Sequence, residues 1–130
     1  MKQYYLYLGT IQCIIQVYHK GVKGLNVQFK KGVLELCVLV LLDRKDQYGY
    51  ELVQQISDQI EISEGAVYPL LRRLTKEKLT TTYLRESTEG PPRKYYKLTR
   101  TGGEYLDDLL TEWHVFTDGV NKLIEDEVAR

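Results

Sequence analysis

Cysteine and histidine are scarce in this chain. Its 130 residues hold two of each: Cys13 and Cys37, His19 and His114. The cysteines form no paired motif, which argues against a disulfide framework or a zinc ribbon. Both read as small buried hydrophobes in a reducing, cytoplasmic compartment. Two scattered histidines make neither a metal site nor a catalytic dyad, and no nucleophile–base pair is evident, so no enzyme activity, metal or cofactor is expected. Long apolar runs are missing too. Beyond the N-terminal segment the longest is Leu36–Leu42, far short of the ~20 residues of a membrane span, so no membrane partner is expected. Net charge is also absent, with 18 basic and 18 acidic residues. At 43% hydrophobic and 28% charged the composition is that of a globular domain, which excludes wholesale disorder.

The neutral total conceals an uneven distribution. Residues 63–97 carry a net +4 and residues 101–130 a net −6. A basic middle and an acidic tail point to two tasks on one chain. At 15.2 kDa a monomer buries only a modest core, which favours self-association.

Residues 1–25 read as an extension. The run Tyr4-Tyr5-Leu6-Tyr7-Leu8 leads into Leu8, Ile11, Ile15 and Tyr18 at helical spacing, and Lys20, Gly21, Lys23 and Gly24 break the pattern. A secretory signal fits poorly, because Gln12 and Gln16 interrupt the apolar region and no small-residue cleavage site follows. Two readings stay open: a helix that seeks a partner surface, or a start codon assigned too early.

From Gln28 to Leu42 almost every position is apolar, and the length argues for a helix buried on most sides. Asp43–Gln47 reads as a polar turn. Tyr48-Gly49-Tyr50 opens a second helix with Leu52, Val53 and Ile56 on one face. A third helix begins after Ser63, an N-cap residue type, with Glu64 in its first turn to suit the helix dipole. Its apolar stripe is Val67, Leu70, Leu71 and Leu74, and its opposite face carries Glu64, Tyr68, Arg72 and Lys76, with Arg73 beside them. Pro69 is expected to leave a local irregularity, since the residue it would crowd is Gly65.

A two-stranded hairpin follows. Residues 81–85 are strand formers, 87–92 are turn chemistry, and Arg93–Leu98 return as the second strand. Thr101-Gly102-Gly103-Glu104 matches a capping box, with Thr99 as a competing cap. A long final helix then runs to about Val128. Three helices and a hairpin make a winged helix-turn-helix, mainly α with a small β-hairpin. Such a module needs only a local basic surface: arginine and lysine on the third helix to reach a major groove, and Arg93 and Lys94 at the hairpin to meet phosphates or enter a minor groove.

Three separated segments resemble the PadR family of transcriptional regulators. Ile62–Leu74 resembles its recognition helix, Gly90–Thr99 its wing, and Tyr48–Leu52 its second helix; the similarity spans residues 26–123. The resemblance implies a homodimeric regulator of double-stranded DNA, usually a repressor and often released by a small molecule. Ser63, Glu64, Tyr68, Arg72, Arg73, Lys76, Arg93, Lys94 and Tyr95 are then the expected DNA contacts. The single C-terminal helix resembles the short subfamily. The expected organisation is an extension at 1–25, a winged helix-turn-helix domain at 26–100 and a dimerisation helix at 101–130.

The spacing of the last helix agrees with that division. Leu106, Leu109, Trp113, Phe116, Val120 and Leu123 step alternately by three and four, a coiled-coil-like seam widened by Tyr105, Leu110 and Ile124. Gly119 weakens the helix interior by about 1 kcal/mol relative to alanine and reads as a bend or a close approach between chains. Trp113 has two readings. It fills the seam as an aromatic, or, as in multidrug-responsive relatives with a tryptophan at this step after a Leu-Thr-x-x-Gly motif, it stacks on a planar aromatic effector at the dimer interface. A different class of function also stays open: a winged-helix module that contacts protein and never reads DNA. Bases on both the third helix and the hairpin favour DNA over that use, and RNA is a weaker fit because no aromatic stacking platform is evident.

Overall fold

The apolar run of the first helix folds as expected, with helix α1 spanning Val27–Arg44. It contributes Leu34, Val38, Leu39 and Leu42 to the core. In this computed structural model the described residues are 27–128. The extension at 1–25, with Cys13 and His19, lies outside them. The chain divides after Gly32, and the following account concerns the part that begins at Val33.

Helix α2, Gly49–Ser57, and helix α3, Glu64–Lys76, pack against α1 as the two limbs of a helix-turn-helix. Leu52, Val53 and Ile56 of α2 are buried, as are all four members of the α3 stripe, Val67, Leu70, Leu71 and Leu74. A helix with apolar residues at i, i+3, i+4 and i+7 presents one face to the core and leaves the other to solvent. Helix α3 runs through Pro69 without a break; the fixed φ of proline suits a helix, and the ring removes one backbone donor.

Two expectations fail between α1 and α2. The expected polar turn at 43–47 is still helix as far as Arg44, and Gln47–Tyr48 then forms a short strand, β1. With β2, Thr80–Arg85, and β3, Arg93–Leu98, it makes a three-stranded antiparallel sheet in the order β1-β3-β2, where a two-stranded hairpin was expected. Gln47 pairs with Tyr96, and Tyr48 with Tyr95. The physical reason is the side chain of Gln47, which is 1% exposed. Its amide donates to the Leu41 carbonyl at 3.0 Å and accepts from Gln55 Nε2. A buried amide with both ends satisfied is tolerated in a core, and it anchors the strand where a polar residue suggested a loop.

The last helix, α4, spans Arg100–Val128. Its cap is Thr99, not the Thr101 of the expected capping box. The Gly102 N–H donates to Thr99 Oγ1 at 3.0 Å, and Thr101 already lies within the helix. The same hydroxyl donates its proton between the Lys78 and Leu79 carbonyls at 2.8 and 3.0 Å, and the Thr99 N–H donates to the Leu79 carbonyl at 3.1 Å. Those carbonyls belong to the end of α3, which closes in a Schellman motif. Leu79 N–H reaches Leu74 O at 3.0 Å and Lys78 N–H reaches Thr75 O at 3.1 Å, with Lys78 in the left-handed region at φ 62° and buried Leu79 against Leu74.

Two substitutions at this junction are expected to act in opposite directions. A Cβ at Gly102 would overlap the Leu79 carbonyl oxygen and stand 2.7 Å from Leu98 Cδ1, so Gly102→Ala is expected to cost about 2–3 kcal/mol or more through overpacking. Lys78→Gly is expected to gain about 0.5–1 kcal/mol by removing the left-handed penalty. Urea denaturation of the two variants measures both changes.

Candidate nucleic-acid interface

The exposed face of α3 carries Tyr68, 39% exposed, with Arg72 and Lys76 below it in solvent. Neither Arg72 nor Lys76 is in an ion pair among the described residues. Ser63 occupies the N-cap position with an extended backbone, but its side chain makes no capping bond. The side chain of Glu64 lies outside the described atoms.

Arg73 departs from expectation. Its guanidinium lies 3.2 Å from Glu35 of α1 and 3.3 Å from Glu77. Burial alone would lower its pKa, and the two carboxylates together outweigh that and raise it. Glu35, whose side chain is 12% exposed, also accepts a long hydrogen bond of 3.4 Å from the Tyr105 hydroxyl of α4. Burial, with Glu35 beside it, holds the Tyr105 phenol above its usual range. Arg73 thus ties α3 to α1, and through Glu35 to α4, instead of joining Arg72 on the open face. It stands one position round the helix, on the flank that meets α1.

The wing alternates as a half-buried strand should. Tyr96 points inward, 6% exposed, and its phenol is pushed up by burial, then by Tyr68, with Arg72 opposing. Lys94 shares that side, its Nζ 5.8 Å from the Tyr96 ring centroid. Between the wing and the helices lies a cleft of about 520 Å³ bordered by Tyr48, Tyr50, Tyr68, Tyr96, Arg93 and Lys94, with the Gly90-Pro91-Pro92 tip as its outer wall. Arg93 and Lys94 of the wing and Tyr68 of α3 therefore border one cleft, which Glu89 also lines. Tyr95 does not. It stands on the outer face of the sheet, its ring 5.6 Å from that of Tyr83 and 6.1 Å from that of Tyr48. Tyr48, Tyr50 and Tyr83 were not anticipated. The signal was present in the hairpin register, which sets Tyr83 opposite Tyr95.

On α4 the expected seam divides. Leu106 is 2% exposed and fills the core of its own chain, so it has no surface left for a partner; the first turns of α4 are needed to close that core. Leu109 and Leu110 are half-buried against the same cluster, and Trp113 is half-buried. Phe116, Val120 and Leu123 are 54%, 37% and 71% exposed, with Val115 at 69% beside them. No neighbour approaches the position of a Cβ at Gly119. Burial pushes the Cys37 thiol up, away from reactivity. Among the described residues no helix is long and apolar enough to cross a membrane.

A helix-turn-helix, a three-stranded wing and a basic groove between them define a winged helix protein. The profile of the transcriptional regulator PadR-like family matches residues 38–108. A PadR-like transcriptional regulator from Bacillus cereus is 41% identical, with a TM-score of 0.69, over 75% of this chain and 96% of that one. Bacillus subtilis PadR in complex with operator DNA is 27% identical, with a TM-score of 0.55, over 60% of this chain and 45% of that one. The transcriptional regulator YqjI of Escherichia coli K12 is 34% identical over 62% of this chain, which spans 39% of that protein. The chain belongs to the PadR-like family of transcriptional regulators.

The two neighbouring arginines of α3 are expected to separate in a stability measurement. Arg73→Ala removes the partner of a mostly buried Glu35 and is expected to cost about 0.5–1.5 kcal/mol, limited by solvent screening of the exposed guanidinium. Arg72→Ala is expected to stay within about 0.5 kcal/mol. Thermal denaturation followed by circular dichroism distinguishes them.

Proposed function

We propose that this protein is a homodimer that binds double-stranded operator DNA in the cytoplasm and represses transcription until a small molecule releases it. Residues 26–100 act as the reading domain and 101–130 as the dimerisation helix. The observation that carries the DNA reading is the common groove: Tyr68 from α3 and Arg93 and Lys94 from the wing border one cleft, with Arg72 and Lys76 exposed on the same helix face. Bases with no ion-pair partner among the described residues, on two elements that face one way, suit a polyanion with a groove for the helix and a backbone for the wing. The operator complex of Bacillus subtilis PadR supports the same reading. Arg72 and Tyr68 are suited to base edges, and Lys76, Arg93 and Lys94 to phosphates. Ser63 and Glu64 sit at the end of α3 that enters the groove first.

The dimer reading rests on Phe116, Val120 and Leu123, which leave an apolar stripe in solvent at i, i+4 and i+7. Apolar surface repeated at that spacing is stabilised by burial against a second helix. Leu109, Leu110 and Trp113 would border that contact. A planar aromatic effector stacked on Trp113 would gain apolar burial, and a cationic one would be attracted as well by the ring and by Asp107, Asp108, Glu112 and Asp118. Such a ligand releases DNA only if it prefers a different spacing of the two reading domains.

Gel-shift titration on the region upstream of its own gene is expected to give a two-fold symmetric site with half-sites one helical turn apart, or a multiple of that. With ~3 phosphates neutralised per protomer, the log–log salt slope is expected near −5, and Arg72→Ala is expected to cost about 1–3 kcal/mol and relax sequence preference. Binding that is flat in salt would leave the winged helix as a protein-contact module.

Light scattering is expected to give twice the chain mass, and Phe116→Glu to halve it by burying an unpaired charge. Fluorescence of the one tryptophan, quenched saturably by planar dyes in step with loss of the gel shift, is the expected sign of an effector. Quenching by none of them would leave Trp113 as a seam filler.

A further inference from the structure

The wing holds two arginines in an arrangement that needs explanation. Arg85, the last residue of β2, and Arg93, the first of β3, stand directly opposite each other in the antiparallel register. Like charges so placed repel, and among the described residues neither is ion-paired. Each is laid on an aromatic ring instead. The Arg93 guanidinium carbon lies 5.0 Å from the Tyr48 ring centroid, and that of Arg85 lies 5.5 Å from the Tyr95 centroid.

The rings form one row across the sheet, because Tyr48 pairs with Tyr95 and Tyr95 with Tyr83. The planes of Tyr83 and Tyr95 are 18° apart, and the Tyr83 hydroxyl donates to Asp46 Oδ2 at 2.9 Å, which fixes the far end of the row. A guanidinium that lies over a ring keeps N–H donors free for another partner. It also has less rotamer freedom to lose when it binds. Two such groups over rings 6.1 Å apart make a fixed pair of donors for a closely charged anion.

We propose that Arg85 and Arg93 together grip the DNA sugar–phosphate backbone, and that Tyr95 and Tyr48 are positioning residues that hold the two guanidiniums ready. The inference rests on the DNA-binding reading and adds to it a contact, Arg85, that the sequence did not suggest. It also changes the role of Tyr95, which acts through Arg85 and does not touch DNA itself. Arg93 borders the cleft, so the pair carries the basic surface from the groove round to the outside of the wing.

The test is fluorescence anisotropy of the full chain on a random-sequence duplex and on its upstream region, over a range of salt. Arg85→Ala is expected to weaken binding about tenfold on both duplexes and to reduce the salt slope by about 2 per dimer, one contact from each protomer. Arg85→Lys keeps the charge but not the guanidinium fork over the ring, so it is expected to keep the slope and lose affinity severalfold. Tyr95→Phe is expected to bind as the unmodified protein does, and Tyr95→Leu to lose affinity severalfold at an unchanged slope. An Arg85→Ala variant with unmodified affinity and slope overturns the inference, as does a Tyr95→Phe variant that falls as far as Tyr95→Leu. If Tyr95→Leu does not fold, the Arg85 pair decides the question. An unmodified protein that binds neither duplex removes the DNA reading itself, and the inference with it.

Discussion

The junction at Leu79 sets how α3, the wing and α4 are placed relative to one another. One carbonyl accepts from the Thr99 backbone and shares its hydroxyl proton with Lys78, while Gly102 passes so close that only a hydrogen fits between. Four elements meet there: the end of α3, the start of β2, the end of β3 and the start of α4. The left-handed turn at Lys78 is what sends the chain from helix to strand at the needed angle. Any shift of the carbonyl would move α3, the wing and α4 relative to one another. A side chain at Gly102 would force such a shift, because backbone atoms of a Schellman turn have little room to yield.

Around that junction the charges are sorted by function. The arginine on the flank that meets α1, Arg73, is paired with Glu35 and Glu77. Among the described residues, those that face the groove or the outside of the wing have no ion-pair partner, and Arg85, Arg93 and Lys94 lie over tyrosine rings. An ion pair costs desolvation and returns part of it by attraction, so a protein that needs free cations on one side must keep its carboxylates elsewhere. Most are on α4. A neutral total therefore coexists with a locally basic surface, and the steering field of that surface extends only about a Debye length.

Helix α4 changes its employment along its length. Its first turns complete the core through Leu106. Its later turns carry apolar residues past the end of that core, where no described residue covers them. One helix thus belongs to the reading domain at one end and, in the proposed dimer, to the partner at the other. Its first turns are also joined to α3 by the Tyr105–Glu35–Arg73 connection.

Local physics made much of this legible in the sequence. The apolar periodicity of α2, α3 and α4, the stop at the Gly-Pro-Pro tip and the alternation of β3 depend on residues a few positions apart, and those elements form where the pattern puts them. The exposed face of α3 follows from the same periodicity, so Tyr68, Arg72 and Lys76 could be read directly. What lay beyond the sequence were choices made by residues distant along the chain. Gln47 is polar and becomes a core strand because Leu41 and Gln55 satisfy it. Arg73 has the same chemistry as Arg72 and is paired with a carboxylate on another helix. Leu106 matches the seam spacing and is taken by its own core, and Tyr95 turns from the groove because the strand pleat sends its neighbour inward. A pattern of residue types fixes which face is apolar. Only packing in three dimensions decides which of several equivalent side chains finds a partner within the chain and which stays available to something else.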